Sequence, residues 1–168
     1  MKACPVAFCP GSFDPITHGH LDIITRAAAV FGHVIVGVAE SAEKTHLFSL
    51  DERLEICREV CADLPNVSVE SFSGLLVQAA KQAGARAIIK GLRQSFDLSH
   101  EGPMAYMNHS LEPDIETMFM LGSSDYTYVS SSLIKWVCSM GGDISSHVPA
   151  VVAQRLREKL AEGARAQG

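Results

Sequence analysis

The chain has 168 residues, close to one domain's worth, and 47% of them are hydrophobic, enough to bury a single core. Its formal net charge of -5 argues against a surface built for nucleic acid or anionic lipid, since such surfaces rely on clustered positive charge. No run approaches the roughly 18 apolar residues of a membrane span, and the N-terminus lacks a charged-then-apolar leader pattern, so the expectation is one domain over 1–168 with neither a nucleic-acid nor a membrane partner.

In chain order, residues 6–8 are apolar and read as a buried strand. The stretch Cys9-Pro10-Gly11-Ser12-Phe13-Asp14-Pro15-Ile16-Thr17-His18-Gly19-His20 follows, ahead of a helix whose apolar spacing covers 21–28. A strand, a Gly/Pro loop and a helix start make a phosphate site. Gly11 would let backbone amides approach a ligand, and Thr17 as N-cap would put His20 in the first turn, at the positive end of the helix dipole. The alternative is that Gly11 and Gly19 only turn the chain and that His18 and His20 are surface residues at a helix start.

Residues 33–39 form a second strand, β-branched and apolar enough to be covered on both faces. A polar loop at 40–46 leads to Ser49-Leu50-Asp51-Glu52, a capping box opening a helix with Leu54, Ile56, Val60 and Cys61 inward. Residues 67–72 alternate as a third strand, with a helix starting at 75 behind it, and residues 87–89 form a fourth strand with Lys90-Gly91-Leu92-Arg93 at its carboxyl end. Gly102-Pro103 interrupts the next segment; an interior proline costs a helix about 3 kcal/mol. A fifth strand covers 115–121, Ser130, Ser131 and Ser132 open a helix over 133–137, an amphipathic helix runs from about 149 to 162, and 163–168 is a frayed tail.

The five cysteines (Cys4, Cys9, Cys57, Cys61, Cys138) form no C-x-x-C pair, and Cys57 and Cys61 share a helix face, which fits reduced thiols in a cytoplasmic protein with no metal site. Five alternations of strand and helix specify an α/β fold, a Rossmann-like open parallel five-stranded sheet with helices on both faces. The pieces at 11–20, 40–44, 90–93 and 123–132 each follow a strand and should converge on one rim.

Pro10-Gly11-Ser12-Phe13-Asp14-Pro15, Thr17-x-Gly19-His20, Lys90-Gly91-Leu92-Arg93 and Val129-Ser130-Ser131-Ser132-Leu133-Ile134-Lys135 together resemble the bacterial phosphopantetheine adenylyltransferases, from about residue 5 to 160 and with matching spacing. The T-x-G-H element alone marks only the wider nucleotidyltransferase superfamily. The resemblance implies AMP transfer from ATP to 4′-phosphopantetheine, giving dephospho-coenzyme A and pyrophosphate, with Mg2+ and as a homohexamer. It implies a helix over 97–111, where Gly102-Pro103 should produce a kink, a late start or a disordered segment. By position, His20 matches the donor to the α-phosphate, and Lys44 the lysine bridging the reacting phosphates. Ser12 and Phe13 match the loop where ATP meets the acceptor phosphate. Leu76 falls where the pantetheine arm is held and Lys90 where its phosphate is met. Gly91, Leu92 and Arg93 match the segment around adenine and ribose, Glu101 a further ATP contact, and Tyr126, Thr127, Tyr128, Val129, Ser130, Ser131 and Ser132 the segment along the β- and γ-phosphates.

Each residue has a plainer reading: Lys44 a solvated loop lysine, Leu76 core, the serines caps. The chain also departs from the family's pattern. Ser12 stands where threonine is common and Lys90 where arginine is usual, a point charge for a bidentate fork; Gly102-Pro103 replaces an apolar pair beside Glu101, and 41–46 lacks the usual proline. Two rival functions follow: nucleotide transfer to another phosphorylated acceptor, such as nicotinamide mononucleotide or glycerol phosphate, and nucleotide sensing without catalysis.

Overall fold

A computed structural model describes residues 5–40, 45–93 and 95–165. In order the elements are β1 (Val6–Gly11), α1 (His18–Val30), β2 (His33–Ala39), α2 (Leu50–Val60), β3 (Val67–Phe72), α3 (Leu76–Gln82), β4 (Ala87–Leu92), α4 (Ser95–Leu111), β5 (Glu116–Leu121), α5 (Ser131–Ser139) and α6 (Ala150–Arg165), with a 3-10 turn at Ser124–Tyr126 before α5. The five strands form one parallel sheet in the order β3-β2-β1-β4-β5. Chain order reverses between β1 and β4, and in open parallel sheets the crevice at that reversal, beyond the strand carboxyl ends, is where ligands bind.

Successive strand residues project to opposite faces, and the two cores follow that rule. Ala7, Cys9, Val34, Val36 and Val38 pack with Ile24 of α1, Cys57 of α2, Ile134 of α5 and Leu156 of α6. Phe8, Ile35 and Ile88 point the other way and pack with Val77 and Ala80 of α3. Helices therefore cover both faces, and burying each of the Val, Ile, Leu and Phe side chains contributes about 1.5–3 kcal/mol. Gly37 has to be glycine for packing: a Cβ there would fall 2.2 Å from the Phe8 ring.

The structure extends several expected elements. β1 runs to Gly11 and β4 to Leu92, so Lys90, Gly91 and Leu92 belong to the strand end and not to a loop after it. β4 continues because β5 pairs with it through Leu92↔Leu121. α4 starts at Ser95 and runs on through Pro103, with neither the late start nor the disordered segment that Gly102-Pro103 suggested. Pro103 removes one backbone donor, the one that would bond the Ser99 carbonyl, while α4 packs on α3, β4 and β5 and is tied by Lys81–Glu112 at 2.7 Å and Lys90–Glu101 at 3.1 Å. Tertiary contact outweighs local propensity there. α6 likewise continues three residues into the expected tail, to Arg165.

Candidate active site

The rim where β1 and β4 end carries a cleft of about 430 Å³, lined by the ends of both strands, the first turn of α1 and the start of α5. Its floor is set by the loop after β1. Phe13 has a left-handed backbone (φ 48°) and its ring folds back over Gly11, where a Cβ would lie 2.8 Å from the ring. Gly11, which lines the cleft, therefore also makes room for Phe13.

Thr17 caps α1 as the sequence indicates, and its partner is unusual. Residue N3 of a capping box is commonly Glu or Gln; here it is His20, whose Nδ1 accepts from the Thr17 backbone N–H at 3.0 Å while the Thr17 side chain accepts from the His20 N–H at 3.4 Å. A backbone N–H can only donate, so Nδ1 is the unprotonated nitrogen and the neutral ring carries its hydrogen on Nε2. The ring, half-buried on the cleft wall with the Phe13 ring 5.3 Å away, has its pKa lowered to about 4 by burial and then by the Arg93 cation. At neutral pH it is an uncharged donor.

Behind the loop lie two polar anchors. Asp14, 5% exposed, accepts from the amides of Leu47 (3.1 Å) and Phe48 (2.9 Å) and from the Lys135 ammonium of α5. Burial alone would push its carboxyl up; Lys135 and the Phe48 and Leu47 amides outweigh that and hold it below its usual value. Arg53, 3% exposed on α2, donates through Nη1 to the carbonyls of Ser12 (2.7 Å) and Ala39 (2.9 Å).

Across the cleft, Arg93 donates from Nη1 to the Val129 carbonyl at 3.0 Å, drawing the end of β4 to the segment before α5. Ser130 is the N-cap of α5, accepting from the Leu133 N–H at 3.1 Å, and Ser131 donates to the Pro15 carbonyl at 2.8 Å. Ser130 thus acts as a cap and Ser131 as a loop tie, while both line the cleft with Ser132. Lys90 meets Glu101 at 3.1 Å, so a lysine expected to hold a phosphate is paired with a carboxylate. Two cations and one carboxylate facing a ring of donors suit a polyanion.

Of the residues selected from sequence, Ser12, Phe13, His20, Lys90, Gly91, Leu92, Arg93 and Glu101 line this cleft, together with Tyr126, Val129, Ser130, Ser131 and Ser132. Thr127 and Tyr128 do not. The Thr127 hydroxyl donates to the Ser124 carbonyl at 3.1 Å, and the exposed Tyr128 ring sits edge-on to His147 at 5.6 Å. Leu76, at the start of α3, packs against the Phe8 core away from the cleft. Lys44 lies outside the described residues. Arg53 and the Asp14–Lys135 pair escaped the sequence reading. The available signal for Arg53 was an arginine on the apolar stripe of α2, beside Leu54 and one turn before Cys57.

Known proteins resemble the chain in sequence and in fold. Residues 8–137 match the Cytidylyltransferase-like family. A solved structure from Vibrio parahaemolyticus, described as a candidate nicotinate-nucleotide adenylyltransferase, superposes with a TM-score of 0.68 at 20% identity over 95% of each chain, a likeness of fold. The chain thus belongs to the cytidylyltransferase-like nucleotidyltransferases. Two relatives narrow this. A phosphopantetheine adenylyltransferase of a Nocardioides species is 52% identical over 157 residues, 94% of this chain and 98% of that one. A second, from Caldanaerobacter subterraneus subsp. tengcongensis, is 51% identical over 92% of this chain and 97% of its own length. Within its class the chain is a member of the phosphopantetheine adenylyltransferase family.

Proposed function

We propose that the chain transfers AMP from ATP to 4′-phosphopantetheine, giving dephospho-coenzyme A and pyrophosphate, by direct in-line attack of the acceptor phosphate on the α-phosphate. The observation that carries this reading is the His20 ring, fixed by Thr17 so that Nε2–H is the group left for a ligand, in a cleft that also holds Lys90 and Arg93. A ring with Nδ1 occupied and hydrogen on Nε2 has no lone pair with which to take a proton, so His20 donates and is not a general base. None is needed, because a phosphate is already a nucleophile at neutral pH. Holding two reactants in line supplies about 7–11 kcal/mol, and one donor aimed at developing charge about 2.7–4 kcal/mol. Lys90 is assigned to the acceptor phosphate, which must compete with Glu101 for it; Lys44 is assigned to bridging the two reacting phosphates.

Mg2+ enters this reading with ATP. Among the described residues no three His, Cys, Asp or Glu come together to hold an ion, so those residues offer no metal cage and the ligands assigned are triphosphate oxygens and water. The proposed assembly is a homohexamer, supported by the exposed apolar side chains Tyr106 (82%), Leu121 (73%), Met140 (71%) and Trp136 (60%). A cytoplasmic setting is supported by free Cys9 and Cys57, whose thiols burial pushes up to about 12. Among the described residues no helix is long and apolar enough to cross a membrane.

The test is pyrophosphate release with ATP, Mg2+ and 4′-phosphopantetheine, run beside nicotinamide mononucleotide and glycerol phosphate. Release with phosphopantetheine alone supports the reading; release only with another acceptor, or ATP binding without release in any, overturns it. Light scattering decides the assembly, with the mass expected at a sixfold multiple of the 18.1 kDa chain and a monomer mass refuting it.

A further inference from the structure

We propose that Arg53 is a positioning residue for the transfer, one that sets the geometry of the reacting loops without touching substrate; this rests on the reaction proposed above. Arg53 is 3% exposed, and a single nitrogen, Nη1, bonds the Ser12 carbonyl at 2.7 Å and the Ala39 carbonyl at 2.9 Å. Ser12 lines the cleft in the loop after β1, and Ala39 is the last residue of β2, the neighbouring strand of the same rim. One guanidinium thus couples the cleft-lining loop after β1 to the carboxyl end of β2.

The way this arginine is buried argues that holding the loops is its task. Among the described residues its Nε has no hydrogen-bond partner and no carboxylate pairs with it. A buried cation answered, among the described residues, by two carbonyl dipoles is a poor stabilising device, since desolvating an ion costs several kcal/mol and an apolar residue of similar volume would do as well or better. What an apolar side chain cannot do is fix two carbonyls at hydrogen-bond distance. Its own position is fixed in turn, because α2 packs into the core with α6, where Leu54 and Cys57 share a buried cluster with Val152 and Leu156. A methionine would fill the space and release the loops; a lysine could reach one carbonyl at a time.

The experiment compares wild type, Arg53→Lys and Arg53→Met in the pyrophosphate-release assay, with melting curves and hydrogen exchange of backbone amides. Arg53→Met is expected to lower kcat on the order of 10²-fold, the usual consequence of a small misplacement of reacting groups, with KM for both substrates within about threefold. Arg53→Lys is expected to recover about tenfold of that loss. Amides at 12–14 and 45–48 should exchange faster in both variants while those of β1 and β2 stay protected. A lower melting temperature with kcat unchanged in the folded protein would make Arg53 merely structural and overturn the proposal, as would a change confined to KM. Should Arg53→Met fail to fold, Arg53→Lys decides by the same kcat criterion. Should wild type release no pyrophosphate with 4′-phosphopantetheine, the reaction is wrong, and the positioning role is judged by exchange, unchanged amides at 12–14 overturning it.

Discussion

Removing the His20 ring tests both its tautomer and its burial. In His20→Ala two things are lost at pH 7.5: the bond from the Thr17 N–H to Nδ1, whose loss costs about 1 kcal/mol as for other helix caps, and the donor facing the cleft, worth on the order of 10²- to 10³-fold in turnover. The stability effect should reverse in acid. The ring's pKa falls from 6.5 to about 4 on folding, so between those values the unfolded chain binds a proton that the folded chain refuses. Stability conferred by the neutral ring is therefore present above pH 6.5 and is lost as pH falls through this window, by about 2.5 kcal/mol at pH 4.5 from the two pKa values and 1.36 kcal/mol per unit. Alanine has no such proton to refuse. Urea denaturation of both proteins should show the variant less stable by about 1 kcal/mol at pH 7.5 and more stable by about 1–2 kcal/mol at pH 4.5. A variant destabilised equally at both values would refute the half-buried, neutral ring, and wild-type turnover at pH 7.5 would remove His20 from the chemistry.

Lys135→Met leaves the Asp14 carboxylate buried with two amides and no cation; because the Lys135 side chain keeps 27% of its exposure, the loss should sit near the low end for a broken buried pair, about 3 kcal/mol by denaturation. Asp14→Asn combined with it should recover part of that loss, and full additivity would mean the two residues do not act as a pair. Arg155→Ala, by contrast, breaks bonds to the well-exposed Glu55 and Glu59 and should cost under about 1 kcal/mol, a larger drop showing that α6 braces α2 more firmly than exposed ion pairs do. Lys90→Arg should keep the ion pair with Glu101 and hold or lower KM for 4′-phosphopantetheine; a rise of about tenfold or more would mean the site has adapted to lysine.

Much of the scaffold was written in local patterns. Alternation of apolar runs and capping boxes gave the five strands and the helices between them, because a half-buried element must repeat its apolar residues at its own period. Thr17 and Ser49 announced two helix starts, and the cleft residues at 12–13, 20, 90–93 and 129–132 could be marked because turns after parallel strands meet on one rim. Where elements end was less legible. β4 reaches Leu92 because β5 pairs with it, and α4 passes through Pro103 because α3 and the sheet hold it, neither being a property of the local residues.

By itself, the amino-acid order determined the α/β fold, the single turn-rich rim and the family. Only the tertiary structure decided which partners the polar groups take: His20 turned onto the Thr17 amide, Asp14 held by Lys135, Arg53 spanning the Ser12 and Ala39 carbonyls, Lys90 set against Glu101. The division has a physical cause. Periodicity is repeated along the chain and so can be read from it, whereas a hydrogen bond between residues 14 and 135 exists once, depends on ångström-scale placement, and is set when the helices dock.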